Sequence, residues 1–567
     1  MIIILLAIGC KNEEDNSAIE AFDMDNPEVE YKPEYGGELI LPLTSLKTLN
    51  PLVNENISYY HFNKLIFESL FEIDENLNIK NKLAEKYSIE EDGKIVKIKL
   101  KDNVLWHDGQ KFTTKDVAFT INTLKYAKDN KGYKGMITDI LGNFNKTNIN
   151  KAINFKIIDD YNIDIIFDKG FAHELEILTF PIIPWHRFVS DRENNKSYID
   201  ALSEGNYTPV GTGPYEFVSY EKYKSIELKA YEDYREGRPY IDNIIGKILE
   251  DDELTLVAFE TGQVHVAITE GIDWEKYDQS NRIRIYEFIS QDHEFLGFNF
   301  SKKIFGDENG NAIRRAIAYG IDRQSIIQRV YLGHATQIDL PIHPNSWLLS
   351  ESQNMYGYNP NKARKELESL GWKDIDGDGF YEDENGKKVS LKLLTNSYNP
   401  LRLKVADMIV EYLNQIGIHI TKDYPEILSN NITDEDIEYQ WERANNQILK
   451  GDFDIVLSGW HLSWIPELSF AYHSSKIKSN TNFIRYKNES MDEALLEAFN
   501  ASNKEDKLKA YEKLQKIIIT ELPYVSLYFK NNALLIDKKI MGDIDPTSYN
   551  LYRNIDKWYI PREFQGE

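Results

Sequence analysis

A chain of 567 residues is too long for one hydrophobic core, and its length predicts roughly two to four domains. Hydrophobic residues make up 42% of the sequence, which excludes a globally disordered chain. The formal charge of −26, from 92 acidic and 66 basic side chains, repels phosphate backbones and argues against a nucleic-acid partner. A single cysteine, Cys10, excludes internal disulfides and zinc sites built from several cysteines.

The first ten residues resemble the end of a secretory signal followed by a bacterial lipobox. Residues 2–9 are apolar or small, and they are too few to span a bilayer, which takes roughly 20 apolar residues. The letters AIGC end this run, a pattern in which the cysteine is diacylated and becomes the mature N-terminus. Elsewhere a lone cysteine is usually a small buried hydrophobe. We expect residues 1–10 to be a lipoprotein signal segment with lipidation at Cys10, and the true translation start to lie further upstream, because no basic residue precedes the run.

Residues 11–30 are acidic and show neither helical nor strand periodicity. This composition predicts a solvated tether between a lipid and a folded body. A flexible chain of about 20 residues has an r.m.s. reach of roughly 25 Å. Such a tether would let the body move above a membrane while it stays attached.

Folded sequence is predicted to begin at residues 36–42, after which strand-like and helical segments alternate. The strand-like runs are IVKIKL (95–100), NIDIIF (162–167), SIELKAY (225–231), VSLKLL (389–394) and FDIVLSGW (453–460). A mixture of this kind predicts an α/β or mixed α+β fold.

Three helical segments carry clear start and stop signals. In YNPNKARKELESLGW, Asn359 can cap the helix, Pro360 fits the first turn and Gly371 can end it. In KEDKLKAYEKLQKIIITELP, an apolar face continues until Pro523 stops the helix. In NAIRRAIAYGIDRQSIIQRVYLG, Asp322 is predicted to cap the second of two helices.

Seven segments, in order and at their spacing, resemble the extracytoplasmic peptide-binding proteins of ABC importers, which form solute-binding protein family 5. They are LNP (49–51), LIFESLFEIDENLNIKNKLAEKYSI (65–89), VKIKLKDNVLWHDGQKFTTKDVAFTINTL (96–124), GTGPYEFVSYEKYKSIELKAYEDY (211–234), FNFSKKIFGDENGNAIRRAIAYGIDRQSIIQRVYLG (298–333), YNPNKARKELESLGW (358–372) and YKNESMDEALLEA (486–498). The resemblance covers about residues 36–535, nearly the whole mature chain.

The resemblance implies a two-lobed periplasmic-binding-protein-like fold with an extra inserted subdomain and a ligand cleft between the lobes. Lobe I would be discontinuous and consist of residues 31–72, 206–293 and 530–567. The inserted subdomain would comprise residues 73–205, and lobe II residues 294–529. Two chain crossings, near 290–298 and near 525–535, would form the hinge.

The motif WHDG offers a His107–Asp108 pair that a hydrolase could use as general base and orienting carboxylate. Adjacent residues on a strand point to opposite faces, however, and Asp-Gly is a hairpin signal, so we interpret the motif as a structural turn. GTGPY (211–215) lacks the lysine and hydroxyl of a phosphate-binding loop and is interpreted as a turn before a strand. The histidines show no metal-binding spacing.

The sequence DIDGDG opens like a calcium-binding loop. Asp374, Asp376 and Asp378 alternate before a glycine, as the oxygen ligands of such loops do. The twelfth position is Asn385 where these loops carry a glutamate. A structural calcium ion at these three aspartates and an acidic hairpin without metal both remain open.

The segment FDIVLSGWHLSWIPELSFAYHSS (453–475) is where the resemblance places the ligand. Many family members carry an aspartate three residues after the tryptophan, and it pairs with the α-ammonium of the ligand. That position is Ser463 here, and Glu467 lies nearby. The candidate ligand-binding residues are Trp460, His461, Ser463, Trp464, Asn396, Tyr59 and Tyr60, with the alternative that Trp460 and Trp464 are core aromatics.

These observations predict a substrate-binding lipoprotein that captures peptides between two closing lobes and delivers them to the permease subunits of an ABC importer. It would act as a monomer at the outer face of the cytoplasmic membrane, with no catalytic residues and no required cofactor. One alternative is another solute on the same fold, such as a nickel complex or an oligosaccharide. A surface hydrolase is a further alternative, for which the sequence offers no nucleophile or metal constellation.

Overall fold

The computed structural model describes residues 31–127, 132–135, 137, 152–190, 193–205, 207–270, 272, 274–350, 355–396, 399–424 and 433–566. The predicted signal segment, the lipidation site Cys10 and the tether 11–30 lie outside these residues. Within the described part of the chain, no helix is both long enough and apolar enough to cross a membrane.

Strands and helices are interspersed along the described chain. The strands are β1 Glu38–Thr44, β2 Phe71–Ile73, β3 Ile79–Asn81, β4 Ala84–Glu90, β5 Ile95–Leu100, β6 Ile153–Ile157, β7 Asn162–Phe167, β8 Tyr215–Glu221, β9 Ser225–Ala230, β10 Asn243–Leu249, β11 Val266–Thr269, β12 Ile283–Phe298, β13 Ala335–Gln337, β14 Ser390–Leu394, β15 His419–Asp423, β16 Ile455–His461 and β17 Tyr524–Asp537. The α-helices are α1 Ile57–Phe62, α2 Thr114–Tyr126, α3 Asn195–Ala201, α4 Asp252–Glu260, α5 Glu275–Asp278, α6 Lys303–Gly306, α7 Gly310–Gly320, α8 Arg323–Val330, α9 Pro360–Glu368, α10 Pro400–Gln415, α11 Asp434–Lys450, α12 Ser469–Tyr472, α13 Glu489–Asn500 and α14 Lys504–Glu521. The predicted mixed α/β class is confirmed.

Three smaller sheets come from the first half of the chain. β1 pairs in parallel with β10, and the sheet continues antiparallel in the order β1-β10-β9-β8. β4 to β7 form a second antiparallel sheet in the order β4-β5-β7-β6, and β2 pairs with β3. Buried residues alternate along β9 and β7, so one face of each sheet packs on a core.

The largest sheet has seven strands and is organised around the long strands β12 and β17. Its order is β11-β17-β12-β16-β14-β15, and β13 also pairs with β17. β12 and β17 are antiparallel in two stretches, 283–289 with 531–537 and 293–297 with 524–529, and the register breaks between Ile289 and His293. We call this break, residues 289–293 with the facing residues 529–531, the strand crossing. On one side β17 pairs with β11, and on the other β12 pairs with β16, so these two strands connect the halves of the molecule.

Two large hydrophobic cores lie on either side of the strand crossing. The first is drawn mainly from the residues predicted to form lobe I and the inserted subdomain, and it includes Trp106 and Trp558. The second is drawn from residues 295–529. Ile465 and Phe499 from lobe II nevertheless pack into the first core, so the two halves touch beyond the shared strands.

The helix ends follow the predicted signals. The Asn359 side chain accepts a hydrogen bond from the backbone of Lys362 at 2.9 Å, and Asp322 accepts one from Ser325 at 2.9 Å, as N-caps do. α9 ends at Glu368, earlier than predicted, and Gly371 adopts a positive φ of 80° beyond it. α14 ends at Glu521, and its C-cap Leu522 directly precedes the predicted stop at Pro523.

Candidate functional site

β16 and the loop after it form one wall of a cavity beside the strand crossing. The loop is tied to the crossing at Leu462, whose N–H donates to the Gln291 carbonyl at 2.9 Å, while Gln291 Nε2 donates back to the Leu462 carbonyl at 2.8 Å. The opposite wall includes Leu77 from the turn between β2 and β3. This crossing cavity, lined by Leu77 and by residues of the segments 341–346, 461–470 and 476–481, has a volume of about 480 Å³. Sites for small ligands commonly have volumes in this range.

The crossing cavity contains charged groups of both signs, Glu467 and Lys476. Burial raises the pKa of the Glu467 carboxyl, although the Ser469 N–H donates to its Oε1 at 3.0 Å. A buried carboxylate is stabilised by a cationic partner. The cavity therefore offers complementary charge to a ligand that carries both an ammonium and a carboxylate.

Three of the predicted ligand-binding residues lie together on the cavity wall: His461, Ser463 and Trp464. Ser463 Oγ accepts a hydrogen bond from the Ile465 N–H at 3.2 Å, which shapes the loop. Trp464 is half-buried and packs against the first core as well as lining the cavity. Its ring thus offers an apolar face at the boundary between the two halves.

Trp460 occupies a different position from these three. Its ring lies 4.0 Å from that of Phe295, 4.8 Å from Tyr524 and 5.3 Å from Phe470, measured between centroids. Phe470 lines the crossing cavity and Trp460 packs behind it. In this conformation Trp460 packs among aromatic rings, as the alternative interpretation expected, and it contacts the cavity wall through Phe470.

His461 pairs with Asp292 directly across β12 and β16. Its Nδ1 lies 2.9 Å from Asp292 Oδ1, and this hydrogen bond raises the pKa of the imidazole. Glu270, just after β11, is near enough for its pKa to be raised by burial and by the charge of Asp292. Two acidic side chains of the 206–293 segment, Asp292 and Glu270, therefore lie near His461 of β16 and both favour its protonated form.

A buried ion pair fixes the lobe II side of the crossing. Arg402 holds the Glu294 carboxylate with two hydrogen bonds, Nη2 to Oε1 at 2.6 Å and Nε to Oε2 at 2.9 Å. Asn396, another predicted ligand-binding residue, is buried and accepts a hydrogen bond from Arg402 Nη1 at 3.0 Å. A Cβ at Gly459 would lie 2.7 Å from Glu294 Oε1, so glycine at this position makes room for the pair. Asn396 thus belongs to this ion-pair network and does not line the crossing cavity.

The two tyrosines predicted from the loop after LNP are separated by the fold. Tyr59 is fully buried, and its hydroxyl donates to the Leu49 carbonyl at 2.7 Å, so it offers no surface to a ligand here. Tyr60 lines another cavity, which lies within lobe I and the inserted subdomain. Neither residue lines the crossing cavity.

A second contact joins lobe II to the inserted subdomain. His173 Nε2 lies 3.1 Å from the Tyr511 hydroxyl, which donates to the Pro466 carbonyl of the cavity loop at 3.0 Å. The Ala172 N–H donates to the Phe499 carbonyl at 2.6 Å. The loop that carries Glu467 is therefore supported from the inserted subdomain through one tyrosine.

Two glutamates at this contact have opposite pKa shifts. Glu174 is fully buried, and burial raises its pKa to about 8 although Lys507 Nζ lies 3.7 Å from Oε2. Burial by itself would also raise the pKa of the Glu176 carboxyl. The charge of Lys507 and the hydrogen bond to His173 outweigh burial, so the pKa of Glu176 is lowered. We call residues 171–176 together with Phe499, Lys507 and Tyr511 the subdomain contact.

Sequence reasoning did not identify Leu77, His343 and Lys476 as cavity residues. They belong to three separate segments that meet only in the folded chain. His343 is held by the strand crossing, with Nε2 3.3 Å from the Ile289 carbonyl. The only available signal was the position of Leu77 within the family-like segment 65–89.

The acidic hairpin brings together a slightly different set from the one predicted. Carboxylate oxygens of Asp374, Asp376 and Glu382 lie within 4.8 Å of one another, whereas Asp378 pairs with Lys388. Asp374 already accepts from the Gly377 N–H at 2.7 Å and from the Gly379 N–H at 3.0 Å. The donor set suits calcium in type, and the same oxygens also close the turn on their own.

The WHDG motif is a turn, as interpreted. The Gly109 N–H donates to the Trp106 carbonyl at 2.8 Å, and Gly109 has a φ of 81°. His107 Nε2 lies 3.0 Å from the Gly213 carbonyl, while Asp108 contacts His186 at 2.8 Å. The histidine and the aspartate therefore have different partners and do not form a catalytic pair.

The family model of bacterial extracellular solute-binding proteins, family 5 Middle, matches residues 78–482. The oligopeptide-binding protein AppA of Bacillus subtilis (strain 168) is 28% identical over 542 residues, which cover 94% of this chain and 93% of AppA.

Solved structures agree over nearly the whole chain. The structure of B. subtilis AppA in complex with a nonapeptide is 26% identical, has a TM-score of 0.62, and covers 93% of this chain and 100% of that one. The structure of NikZ from Campylobacter jejuni in complex with Ni(L-His) is 25% identical, has a TM-score of 0.64, and covers 92% and 99% of the two chains. The expected two-lobed fold is confirmed, and the chain belongs to the bacterial extracellular solute-binding proteins of family 5.

Proposed function

We propose that this protein is the peptide-binding component of an ABC importer and that it holds its ligand in the crossing cavity. The observation that carries the proposal is the cavity itself, which lies where the two halves meet and contains Glu467, Lys476 and Trp464. Relatives named for oligopeptide binding support the peptide class.

Peptides differ in their side chains and share a backbone. A receptor for many peptides is therefore expected to hold the main chain by strand-like hydrogen bonds and to leave hydrated room for side chains. The halves close because the ligand binds the closed state better, and the permease reads the closed shape. This activity requires neither a catalytic step nor a cofactor.

Glu467 is the carboxylate that we assign to the ligand ammonium. Ser463 carries no charge, so it cannot balance a buried ammonium, whereas Glu467 lines the same cavity four residues later. Lys476 would face the carboxylate end of a short peptide.

Calorimetry with a library of short peptides tests the proposal, preceded by native mass spectrometry of the ligand retained through purification. We expect a peptide to be bound in a 1:1 complex, and Glu467→Gln to weaken its binding at least about tenfold, since a lost charge-assisted contact is worth about 1.5–3 kcal/mol. The matched control is Glu497→Gln, an exposed carboxylate that pairs with Lys513. Peptide turnover without stoichiometric binding would overturn the receptor assignment.

A metal complex is the second candidate solute. Two histidines, His343 and His461, line the crossing cavity, and the NikZ relative was solved with Ni(L-His). Calorimetry with nickel and free histidine separates the candidates: binding of this complex that is lost in His461→Ala, without peptide binding, would favour the metal solute. A sugar retained through purification would instead favour an oligosaccharide.

We further propose that the protein acts as a lipid-anchored monomer outside the cytoplasmic membrane and docks on permease subunits. The family description as extracellular supports the location. The AIGC sequence supports attachment at Cys10. Membrane fractionation of Cys10→Ser tests the anchor: release into the soluble fraction is expected, and full membrane retention would contradict lipidation.

A further inference from the structure

A second cavity lies apart from the crossing cavity. It has a volume of about 450 Å³ and is lined by lobe I, the inserted subdomain and the C-terminal segment 549–557. No residue of 294–529 lines it, so it is not part of the cleft between the halves. We call it the lobe I cavity.

Most charged side chains around the lobe I cavity already have an opposite charge within 4.0 Å. Lys82 contacts Glu68, Glu72 and Glu236, Lys80 contacts Asp74, Arg553 contacts Glu75, and Lys557 contacts Asp543. Two lining residues differ: among the described residues, neither Lys64 nor Asp556 has an oppositely charged contact. Lys64 Nζ instead donates to the Tyr549 carbonyl and lies 4.3 Å from the centre of the Tyr60 ring.

Two lining amides are also unsatisfied. Asn63 is only 2% exposed, and its Nδ2 has no hydrogen-bond partner in the described chain. Asn550 Oδ1 is likewise buried without a partner there. A buried polar atom without a partner costs about 1–3 kcal/mol, so both sites favour a bound polar group.

These four groups form two sets of complementary chemistry. Lys64 and the donor Asn63 Nδ2 are adjacent in the short turn Asn63–Leu65 and suit an anionic acceptor such as a carboxylate. Asp556 and the acceptor Asn550 Oδ1 both come from the C-terminal segment and suit a cationic donor such as an ammonium. Burial raises the pKa of the Asp556 carboxyl, and a bound cation would reverse this effect.

We propose that the lobe I cavity is a second ligand site that binds a free amino acid, with its carboxylate at Lys64 and Asn63 and its ammonium at Asp556 and Asn550. A free amino acid is a zwitterion and supplies one charge of each sign. These charges match Lys64 and Asp556, the two lining residues without an oppositely charged contact among the described residues. The aromatic rings of Tyr60 and Tyr552 in the same lining offer apolar contact to a side chain.

Saturation-transfer NMR with a pool of the twenty common L-amino acids at millimolar concentration tests the site, followed by calorimetry with the amino acid that gives a signal. We expect Asp556→Asn and Lys64→Gln each to weaken that binding at least tenfold while peptide binding is unchanged. Asp407→Asn is the matched control, since this exposed carboxylate pairs with Lys422 and neither residue lines the lobe I cavity.

Glu467→Gln separates this site from the crossing cavity. Amino-acid binding that persists in Glu467→Gln and in the presence of saturating peptide supports an independent lobe I site. The proposal is overturned if no amino acid in the pool gives a signal, if peptide displaces the amino acid, or if both Asp556→Asn and Lys64→Gln bind like the wild type. Each of these failures leaves the peptide-receptor proposal intact, because that proposal is tested by peptide calorimetry alone.

Discussion

Lobe II contacts the rest of the molecule at the strand crossing and at the subdomain contact, and these two places differ in the interactions they use. At the strand crossing, β12 and β17 continue from one half into the other as a backbone ladder with two register shifts, between Ile289 and His293 and between Glu294 and Phe295. At the subdomain contact, the halves meet through side chains and one backbone hydrogen bond, between Ala172 and Phe499. At the crossing the covalent backbone of each strand runs from one half into the other, so the halves can bend there but cannot separate, whereas the second contact can separate. The difference indicates a hinge at the crossing and a detachable closure at the subdomain contact.

Removing the ion pair beside the crossing is expected to have the largest effect. Arg402→Ala leaves the Glu294 carboxylate, whose side chain is 2% exposed, without its bidentate partner. Breaking a buried pair on one side costs about 3–5 kcal/mol. Chemical denaturation measures this loss. Arg315→Ala, which removes a more exposed pair with Glu366, should cost about 1 kcal/mol or less, and equal losses would contradict the role of burial.

Glu174→Gln is expected to remove a pH dependence from the subdomain contact. The pKa of Glu174 is about 8 in the folded protein against an ordinary 4.5, so the folded state binds more protons between these values and stability falls as pH rises from 4.5 to 8. The loss amounts to about 2–4 kcal/mol. Glutamine does not titrate, so unfolding free energies at pH 5 and pH 8 should differ less in the variant. An unchanged slope, equal to that of Glu497→Gln, would contradict this assignment.

Tyr511→Phe tests whether the subdomain contact supports the cavity loop. The variant loses the hydrogen bond from the tyrosine hydroxyl to the Pro466 carbonyl, worth about 1 kcal/mol. We expect a several-fold rise in the peptide Kd by calorimetry. Tyr356→Phe is the control, because its hydroxyl donates to the Ile519 carbonyl within lobe II at 2.8 Å. Tyr356→Phe should lose similar stability without a change in the peptide Kd. Equal Kd values in the two variants would show that the subdomain contact does not support the cavity loop.

Asp292→Asn is expected to change the titration of His461 at the crossing. The hydrogen bond from Asp292 raises the pKa of the imidazole, so the variant should titrate closer to the ordinary 6.5. Nitrogen-detected NMR over pH 5–9 measures the shift. Asp543→Asn should leave the His461 titration unchanged, and an identical curve in Asp292→Asn would show that the pair does not persist in solution.

The acidic hairpin is expected to show the smallest effect, a change in thermal stability on addition of calcium. Because backbone N–H groups already occupy the Asp374 carboxylate and Lys388 pairs with Asp378, added calcium should raise the Tm by less than about 1 °C. Differential scanning calorimetry with calcium and with a chelator measures the change. A shift of several degrees that is lost in Asp376→Asn would instead establish a structural calcium site.

Local features of the fold could be predicted because their causes are adjacent in sequence. The cap at Asn359, the turn at Gly109 and the stop before Pro523 each depend on a few neighbouring residues. The mixed α/β class followed from alternating strand and helix periodicities, and the two lobes from resemblance.

The candidate site was harder to predict from the sequence, because its geometry depends on segments that are distant in the chain. Trp460 follows a strand, and only the packing of Phe295 and Tyr524 shows that its ring lies behind the cavity wall. Leu77 and Lys476 meet across the cavity although about 400 residues separate them in the chain. Backbone periodicity carries no information about contacts of this range.

The position of β17 in the largest sheet has a consequence for biosynthesis. This strand lies between β11 and β12 and also pairs with β13, yet residues 524–537 are made after all three of those partners. Until β17 emerges, the strands that it joins lack their shared neighbour, so the halves cannot be assembled in the order of translation. The sheet that joins the two halves is therefore complete only once residues 524–537 have been synthesised.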